Sequence, residues 1–208
     1  MTKLYAGVAA AAVAAFLGTS AYYVWSSRAG DAMSQCRAGQ VAGGDIGGPF
    51  TLVDGDGQQV TDASVLAKPA LVYFGYTFCP DVCPLDLARN VEAADILEER
   101  GFDVTPVFIS IDPERDTPEV MKAYATNLHP KLIGLTGSPE QVKAASDAYK
   151  TYYKKQESGD EFYLVDHTTM TYLMLPGTGF ADFYRREATA DQIADSVACF
   201  VEASGGAG

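Results

Sequence analysis

The sequence predicts an α/β domain, built as a central sheet with helices on its faces and preceded by a single transmembrane helix. Two observations predict the domain: apolar runs at residues 70–74 and 104–111 alternate with helical patterns at 84–100 and 116–129. Strands that alternate with helices require a sheet that is covered by those helices. The third observation is that residues 4–25 carry no charged side chain.

Composition excludes some classes of protein before any motif is considered. The chain has 208 residues and a formal net charge of −12, which argues against a nucleic-acid binder because phosphate contacts need a basic face. Apolar residues make up 48% and charged residues 20%, so most of the chain is expected to fold. The length allows one globular domain and an appendage.

The appendage is the uncharged segment from Leu4 to Trp25. As a helix it would be about 33 Å long, which matches the hydrocarbon core of a bilayer. Lys3 precedes it and favours an N-in orientation, while aromatic residues at its far end suit the membrane interface. A cleaved signal peptide is the alternative, with residues 19–21 as the cleavage site. Both interpretations export the remainder of the chain.

We therefore divide the chain into a cytoplasmic stub and an anchor, followed by three exported parts. The exported parts are a tether rich in Ser, Gly and Ala, one domain and a short tail. The five ranges, in the same order, are 1–3, 4–25, 26–45, 46–203 and 204–208.

Each element of the domain has a local signal. Residues 50–53 and 58–60 flank an Asp-Gly-Asp-Gly turn and form a predicted hairpin. The apolar runs at 70–74 and 104–111 predict strands that are buried on both faces. Helices follow them, and capping residues start two of the later helices at Ser138 and Thr189. The predicted ranges of the remaining elements are 132–135, 163–165, 169–175 and 180–185 for strands, and 84–100, 116–129, 138–152 and 189–201 for helices.

Two cysteines lie between the first buried strand and the helix that follows it. Cys79 and Cys83 are four residues apart, which places both sulfurs on one side of the turn. Cys83 is at the start of the helix, where unpaired backbone N–H groups stabilise negative charge, so we expect its thiol to ionise readily. A pair of thiolates selects soft ions such as Cu(I) or Zn.

Three segments together resemble the Sco/SenC family: FGYTFCPDVCP at 74–84, ISIDPERDTPE at 109–119 and VDHTT at 165–169. The resemblance covers about 160 residues, from Ile46 to near Val201. Members of this family are membrane-anchored copper proteins that assemble the dinuclear copper centre (CuA) of cytochrome c oxidase. The resemblance implies a thioredoxin-like fold with an N-terminal β-hairpin, and a single copper ion, Cu(I) or Cu(II), on Cys79, Cys83 and His167.

The resemblance also implies where the protein works and with what. It predicts a single-pass protein of the inner membrane, bacterial or mitochondrial, with its domain in the periplasm or the equivalent compartment. The expected client is the CuA domain of oxidase subunit II, and another periplasmic copper chaperone or a thiol oxidoreductase is a further candidate partner. From the residues alone, His167 would be interpreted as an ordinary surface histidine, so its assignment as a ligand depends on the family.

We expect a copper chaperone rather than an enzyme, and two alternatives stay open. One is a thiol-disulfide reductase that uses Cys79 and Cys83 as its redox-active pair, and the other is a copper or redox sensor. A peroxidase of the peroxiredoxin type is disfavoured, because those enzymes resemble one another in a threonine where this chain has Tyr76.

Several other residues have structural interpretations. We expect His129 to end a helix, and Met170 and Met174 to pack in the core. Asp81 and Asp166 flank the candidate ligands as candidate outer-shell groups. We expect a loop near the site to contain the acidic and basic residues of the second motif, namely Asp112, Glu114, Arg115 and Asp116. Cys36 and Cys199 are predicted to form a disulfide, because spare thiols pair in an oxidising compartment.

Overall fold

The computed structural model describes residues 13–24, 33–37, 45–156 and 163–205. The chain divides into two compact units, Met1–Gly39 and Gln40–Gly208. In the first unit residues 13–24 are helical (α1) and Met33–Cys36 form a short 3-10 helix. Within the described ranges, no helix combines the length and the apolar character needed to span a membrane. The predicted stub, residues 4–12 and 25 of the predicted anchor, and most of the predicted tether lie outside the described residues.

The second unit contains two β-sheets. The strands are β1 (Thr51–Asp54), β2 (Gln59–Thr61), β3 (Ala70–Gly75), β4 (Thr105–Ser110), β5 (Ile133–Thr136), β6 (Tyr153–Lys155), β7 (Val165–His167), β8 (Thr171–Leu175) and β9 (Gly179–Tyr184). Seven strands form one sheet in the order β2-β1-β5-β4-β3-β8-β9, and β6-β7 form a separate pair. The helices are α2 (Asp62–Val65), α3 (Val82–Glu99), α4 (Pro118–Leu128), α5 (Pro139–Ala148) and α6 (Ala190–Ala203). The predicted α/β class is confirmed.

Strand β3 lies inside the sheet, between β4 and β8, and all six of its residues are buried. It pairs in parallel with β4 and antiparallel with β8. This is the environment that a continuous apolar run predicts, because side chains on both faces of such a strand meet packed helices. Its carboxyl end delivers the chain directly to the cysteines.

Local capping chemistry explains where the helices begin. The side chain of Thr117 accepts a hydrogen bond from the Val120 amide at the start of α4. Ser138 and Thr189 form capping boxes at α5 and α6, as their sequences predict. At the other end of α4, His129 is the C-cap, and its Nε2 lies 3.2 Å from a carboxylate oxygen of Asp95. The structural interpretation of His129 is confirmed.

The predicted hairpin is present, with β1 antiparallel to β2. Asp54 stabilises its turn, because one carboxylate oxygen accepts from the amides of Asp56 and Gln58, each at 2.9 Å. Met174 is buried in β8, and Met170 packs against the same core. The expectation that both methionines are core residues is confirmed.

The segment after α5 differs from the prediction. The helix ends at Ala148 rather than near Tyr152, because Lys150 adopts a left-handed conformation with φ of 54°. The chain then forms β6, which the sequence analysis missed, and β6 pairs with β7 so that Tyr153 lies opposite His167. His167 lies between the predicted strands at 163–165 and 169–175, but in the structure it is the last residue of β7. We call the pair β6-β7, together with Tyr163 just before β7, the histidine hairpin.

The four cysteines fall into two groups. Within the described ranges Cys79 and Cys83 carry free thiols. Cys36 and Cys199 are both disulfide-bonded, as expected for the two cysteines outside the C-x3-C motif.

Candidate metal centre

The loop over residues 76–81, which we call the cysteine loop, connects the end of β3 to the start of α3. Cys79 lies in this loop and is half-buried, whereas Cys83 lies in the first turn of α3 and is fully buried. The elements therefore place one accessible sulfur beside one inaccessible sulfur.

The Cys79 sulfur accepts a hydrogen bond that a helix-capping side chain would normally accept. Asp81 is the N-cap residue of α3, but its side chain makes no capping bond to the described helix. Instead the backbone amide of Cys83 donates to Sγ of Cys79 over 3.4 Å. An N-cap side chain normally satisfies such an amide, and here a candidate metal ligand does so.

The sequence-based expectation about the acidity of Cys83 is wrong. Burial raises the pKa of the Cys83 thiol well above its ordinary value, and the neighbouring Cys79 raises it further. Bonds from the Tyr76 backbone and from Tyr73 lower the pKa but do not offset the burial. The position at a helix start was read correctly, but loss of hydration outweighs the helix dipole when a sulfur is this deeply buried.

Gly75 makes room for the buried sulfur. A Cβ atom at this position would lie 2.8 Å from Sγ of Cys83 and 2.9 Å from the ring of Tyr73. Contacts this short require the neighbours to move. The space that Cys83 occupies therefore depends on a missing side chain at the end of β3.

His167 faces the cysteines through a defined nitrogen. Its Nδ1 lies 2.9 Å from the carbonyl oxygen of Thr168, which can only accept, so Nδ1 carries the hydrogen. Nε2 is left with its lone pair and lies 3.4 Å from Sγ of Cys83. Two tyrosine rings flank the imidazole edge-on, with centroid distances of 6.2 Å for Tyr73 and 5.9 Å for Tyr76.

Burial also keeps the imidazole neutral. It lowers the pKa of His167 below the ordinary value, although the bond to Thr168 and the charge of Asp86 act in the opposite direction. A neutral imidazole with a free nitrogen is the form that binds a metal ion.

A buried polar group beneath Cys83 was missed by the sequence analysis. The Tyr73 hydroxyl donates to Asp86 over 3.1 Å and lies within hydrogen-bonding reach of Cys83. Asp86 is only 3% exposed and forms an ion pair with Arg89. The available signal was an aspartate among the apolar positions of α3, since a carboxylate there needs a buried partner.

The second sequence motif lies beside the cysteine loop, as expected. Asp116 is fully buried and accepts hydrogen bonds from the amide and hydroxyl of Thr77 and from Ser110. Burial raises its pKa despite these bonds. Of the two expected outer-shell groups, Asp166 is exposed and accepts from Gln156 over 2.7 Å. Asp81 is exposed as well.

The fold brings Cys79, Cys83 and His167 together from three elements. One potential ligand atom from each lies within 4.8 Å of the other two. Two sulfurs and one imidazole nitrogen form a soft donor set that suits Cu(I) or Zn. The three residues could hold one metal ion.

Comparison with known proteins gives a consistent result. The SCO1/SenC family model matches residues 38–202. Protein SenC of Rhodobacter capsulatus is 52% identical over 203 residues, covering 97% of this chain and 92% of the relative.

Solved structures agree with this match. ScoI of Arabidopsis thaliana with copper bound is 46% identical and superposes with a TM-score of 0.71, covering 76% of this chain and 98% of that one. BsSco, a Sco-family cytochrome c oxidase assembly protein in which a disulfide switch was identified, is 28% identical with a TM-score of 0.60, over 74% and 91% of the two chains. These neighbours support the thioredoxin-like Sco fold that the resemblance implies. A family match over most of the domain, together with these relatives, shows that the chain belongs to the SCO1/SenC family.

Proposed function

We propose that this protein is a metallochaperone that binds one copper ion through Cys79, Cys83 and His167. It delivers that ion to the CuA centre of cytochrome c oxidase subunit II. The observation that carries the proposal is the cluster of two sulfurs and one unprotonated imidazole nitrogen within 4.8 Å. The copper-bound Arabidopsis relative and the assembly role of BsSco support it.

The burial of the three ligands suits a cargo that must be passed on. Cys83 is buried and anchors the ion, whereas Cys79 and His167 are half-buried and within reach of an incoming ligand. Thiolates exchange one at a time, so an attacking client thiolate would displace Cys79 or His167 before Cys83. The copper ion is the cargo in this scheme, and no step requires the protein to change the oxidation state of the ion.

For the location of the domain we propose export through residues 4–25, with the amino terminus inside and the domain outside the inner membrane. The support is the uncharged length of this segment and the aromatic residues at its end. An exported domain would meet subunit II on the side of the membrane where its CuA domain lies.

A thiol-disulfide reductase remains the second candidate. The free thiols of Cys79 and Cys83 and the disulfide switch named for BsSco favour it. The raised pKa of Cys83 disfavours it as the attacking group, because the thiolate is the nucleophile. Cys79 would have to attack first. A copper or redox sensor would use the same three residues.

Replacing His167 with alanine tests the ligand assignment. We expect the reduced wild-type domain to bind one equivalent of Cu(I) tightly, and His167→Ala to bind at least ~10-fold more weakly, since even loss of an outer-shell partner costs about 10–100-fold. The measurement is an anaerobic titration against a chelating competitor. His129→Ala removes the other of the chain's two histidines and is the matched control. Equal affinities in all three proteins would contradict the assignment.

The affinity for Cu(I) should rise with pH. Cys83 has a raised pKa and is protonated near neutrality, so binding must release its proton, whereas His167 has a lowered pKa and is already neutral. Each released proton makes the apparent affinity increase about tenfold per pH unit. Competition titrations at three pH values between 6 and 8 measure the slope, and a flat profile would show that Cys83 is not a ligand.

Substituting Gly75 with alanine should damage the centre through sterics alone. The added methyl group would lie 2.8 Å from Sγ of Cys83, and overpacking of this kind costs about 1–3 kcal/mol. We expect a lower urea midpoint and weaker Cu(I) binding. Gly48→Ala is the control, because its methyl group would be 3.4 Å from Ala148, an ordinary contact. A Gly75→Ala domain with wild-type copper affinity would be inconsistent with this role.

A transfer assay separates the two candidate functions. Copper-loaded protein is mixed with the copper-free, reduced CuA domain of subunit II, and the two are separated by size before copper is measured. We expect about one equivalent of copper to move to the client for each chaperone. In a parallel reaction the copper-free protein, with Cys79 and Cys83 reduced, is mixed with the client in its disulfide form, so that client reduction would oxidise these two thiols to a disulfide. Client reduction without any copper transfer would reject delivery in favour of the reductase.

A further inference from the structure

The loop between β4 and α4 lies between the two halves of the candidate centre. One half is the cysteine loop, and the other is the histidine hairpin, which belongs to a separate two-stranded sheet. Neither the cysteine loop nor the histidine hairpin is part of the seven-stranded sheet. Arg115, in the second sequence motif, contacts both.

The guanidinium group of Arg115 lies between aromatic rings from the two halves. Its central carbon is 3.6 Å from the ring centroid of Tyr163, which precedes β7, and 4.7 Å from that of Phe78, in the cysteine loop. It is 5.7 Å from the ring of Tyr76, also in the cysteine loop. At these distances a cation is attracted to the ring faces, so one side chain holds both segments.

Arg115 is itself fixed in place. Its Nε donates to the carboxylate of Asp112, and one terminal nitrogen donates to the Tyr163 carbonyl oxygen over 3.1 Å. The Tyr163 hydroxyl donates to the other oxygen of Asp112 over 2.6 Å. The Arg115 side chain is only 15% exposed. A planar group with these bonds cannot turn without breaking contacts to the histidine hairpin.

Tyr76 extends the connection to the ligands. Its carbonyl oxygen accepts from the amide of Cys79, and its hydroxyl accepts from the amide of Val165, both over 3.3 Å. Its ring also lies edge-on to the imidazole of His167. The path from Arg115 to each half of the centre therefore consists of direct contacts.

We propose that Arg115 is a positioning residue that holds the cysteine loop and the histidine hairpin together, so that His167 already faces the cysteines before copper binds. This inference rests on the proposed function. Without Arg115, binding of the ion would have to bring the cysteine loop and the histidine hairpin together. The entropic cost of ordering these two segments would then weaken copper binding.

A double-mutant cycle tests the proposal with Arg115→Lys, His167→Ala and the variant that carries both. Lysine keeps the charge and can still reach Asp112, but it lacks the planar face that stacks on the rings. We expect Arg115→Lys to weaken Cu(I) binding about 10–100-fold, as for outer-shell groups. In the Arg115→Lys background, His167→Ala should reduce the Cu(I) affinity by a factor at least ~10-fold smaller than in the wild type. The reason is that the imidazole is no longer held facing the cysteines.

Arg100→Lys is the matched control, since Arg100 also forms an ion pair, with Asp195, but at the far end of α3. It should leave Cu(I) affinity unchanged. Fold-changes that simply multiply in the double variant would overturn the proposal, because general destabilisation would not couple to His167. Weak binding by the wild-type protein would instead contradict the proposed function, so the two failures are distinguishable.

If Arg115→Lys fails to show the wild-type circular dichroism spectrum, the same cycle is run with Phe78→Ala. Phe78 is 51% exposed, so its removal leaves the core intact. We expect weaker Cu(I) binding and the same coupling to His167→Ala, with Phe78→Tyr restoring both because it retains the ring. Wild-type affinity in Phe78→Ala would overturn the proposal.

Discussion

The buried sulfur of Cys83 is the constraint on which the rest of the centre depends. A sulfur at this depth loses its contacts with water, and the residues around it provide the space and the polar contacts that it has instead. Gly75 leaves the space, Tyr73 supplies a hydroxyl, and His167 brings an unprotonated nitrogen to within 3.4 Å. The same burial favours the protonated thiol, so in the proposed function a soft metal ion would have to replace that proton.

Much of the architecture could be predicted because its signals are local. The apolar run at β3 and the capping residues of the later helices lie within a few positions of the structure they specify. The histidine hairpin could not be found this way, since two of the three residues of β6 are exposed lysines and the strand exists only through pairing with β7. The early end of α5 depends on a positive φ at Lys150 that no pattern of residues indicates.

The same difference between local and long-range signals decides which features of the candidate site could be predicted. The spacing of Cys79 and Cys83 indicates a metal or redox pair, whereas the proximity of His167 was expected only from the family. The acidity of Cys83 was misjudged because helix position can be read from sequence and desolvation cannot. The contacts of Arg115 were likewise invisible, although its motif was correctly expected beside the site.

The hydrogen bond from the Cys83 amide to the Cys79 sulfur joins the chemistry of the centre to the longest helix described. Helix α3 has 18 residues, so it is a rod about 27 Å long. Its far end, just past Glu99, is tied to α6 by the pair between Arg100 and Asp195. Any event that moves the Cys79 sulfur, whether a bond to an ion or to a second sulfur, therefore changes the hydrogen bonding of the first turn of this helix.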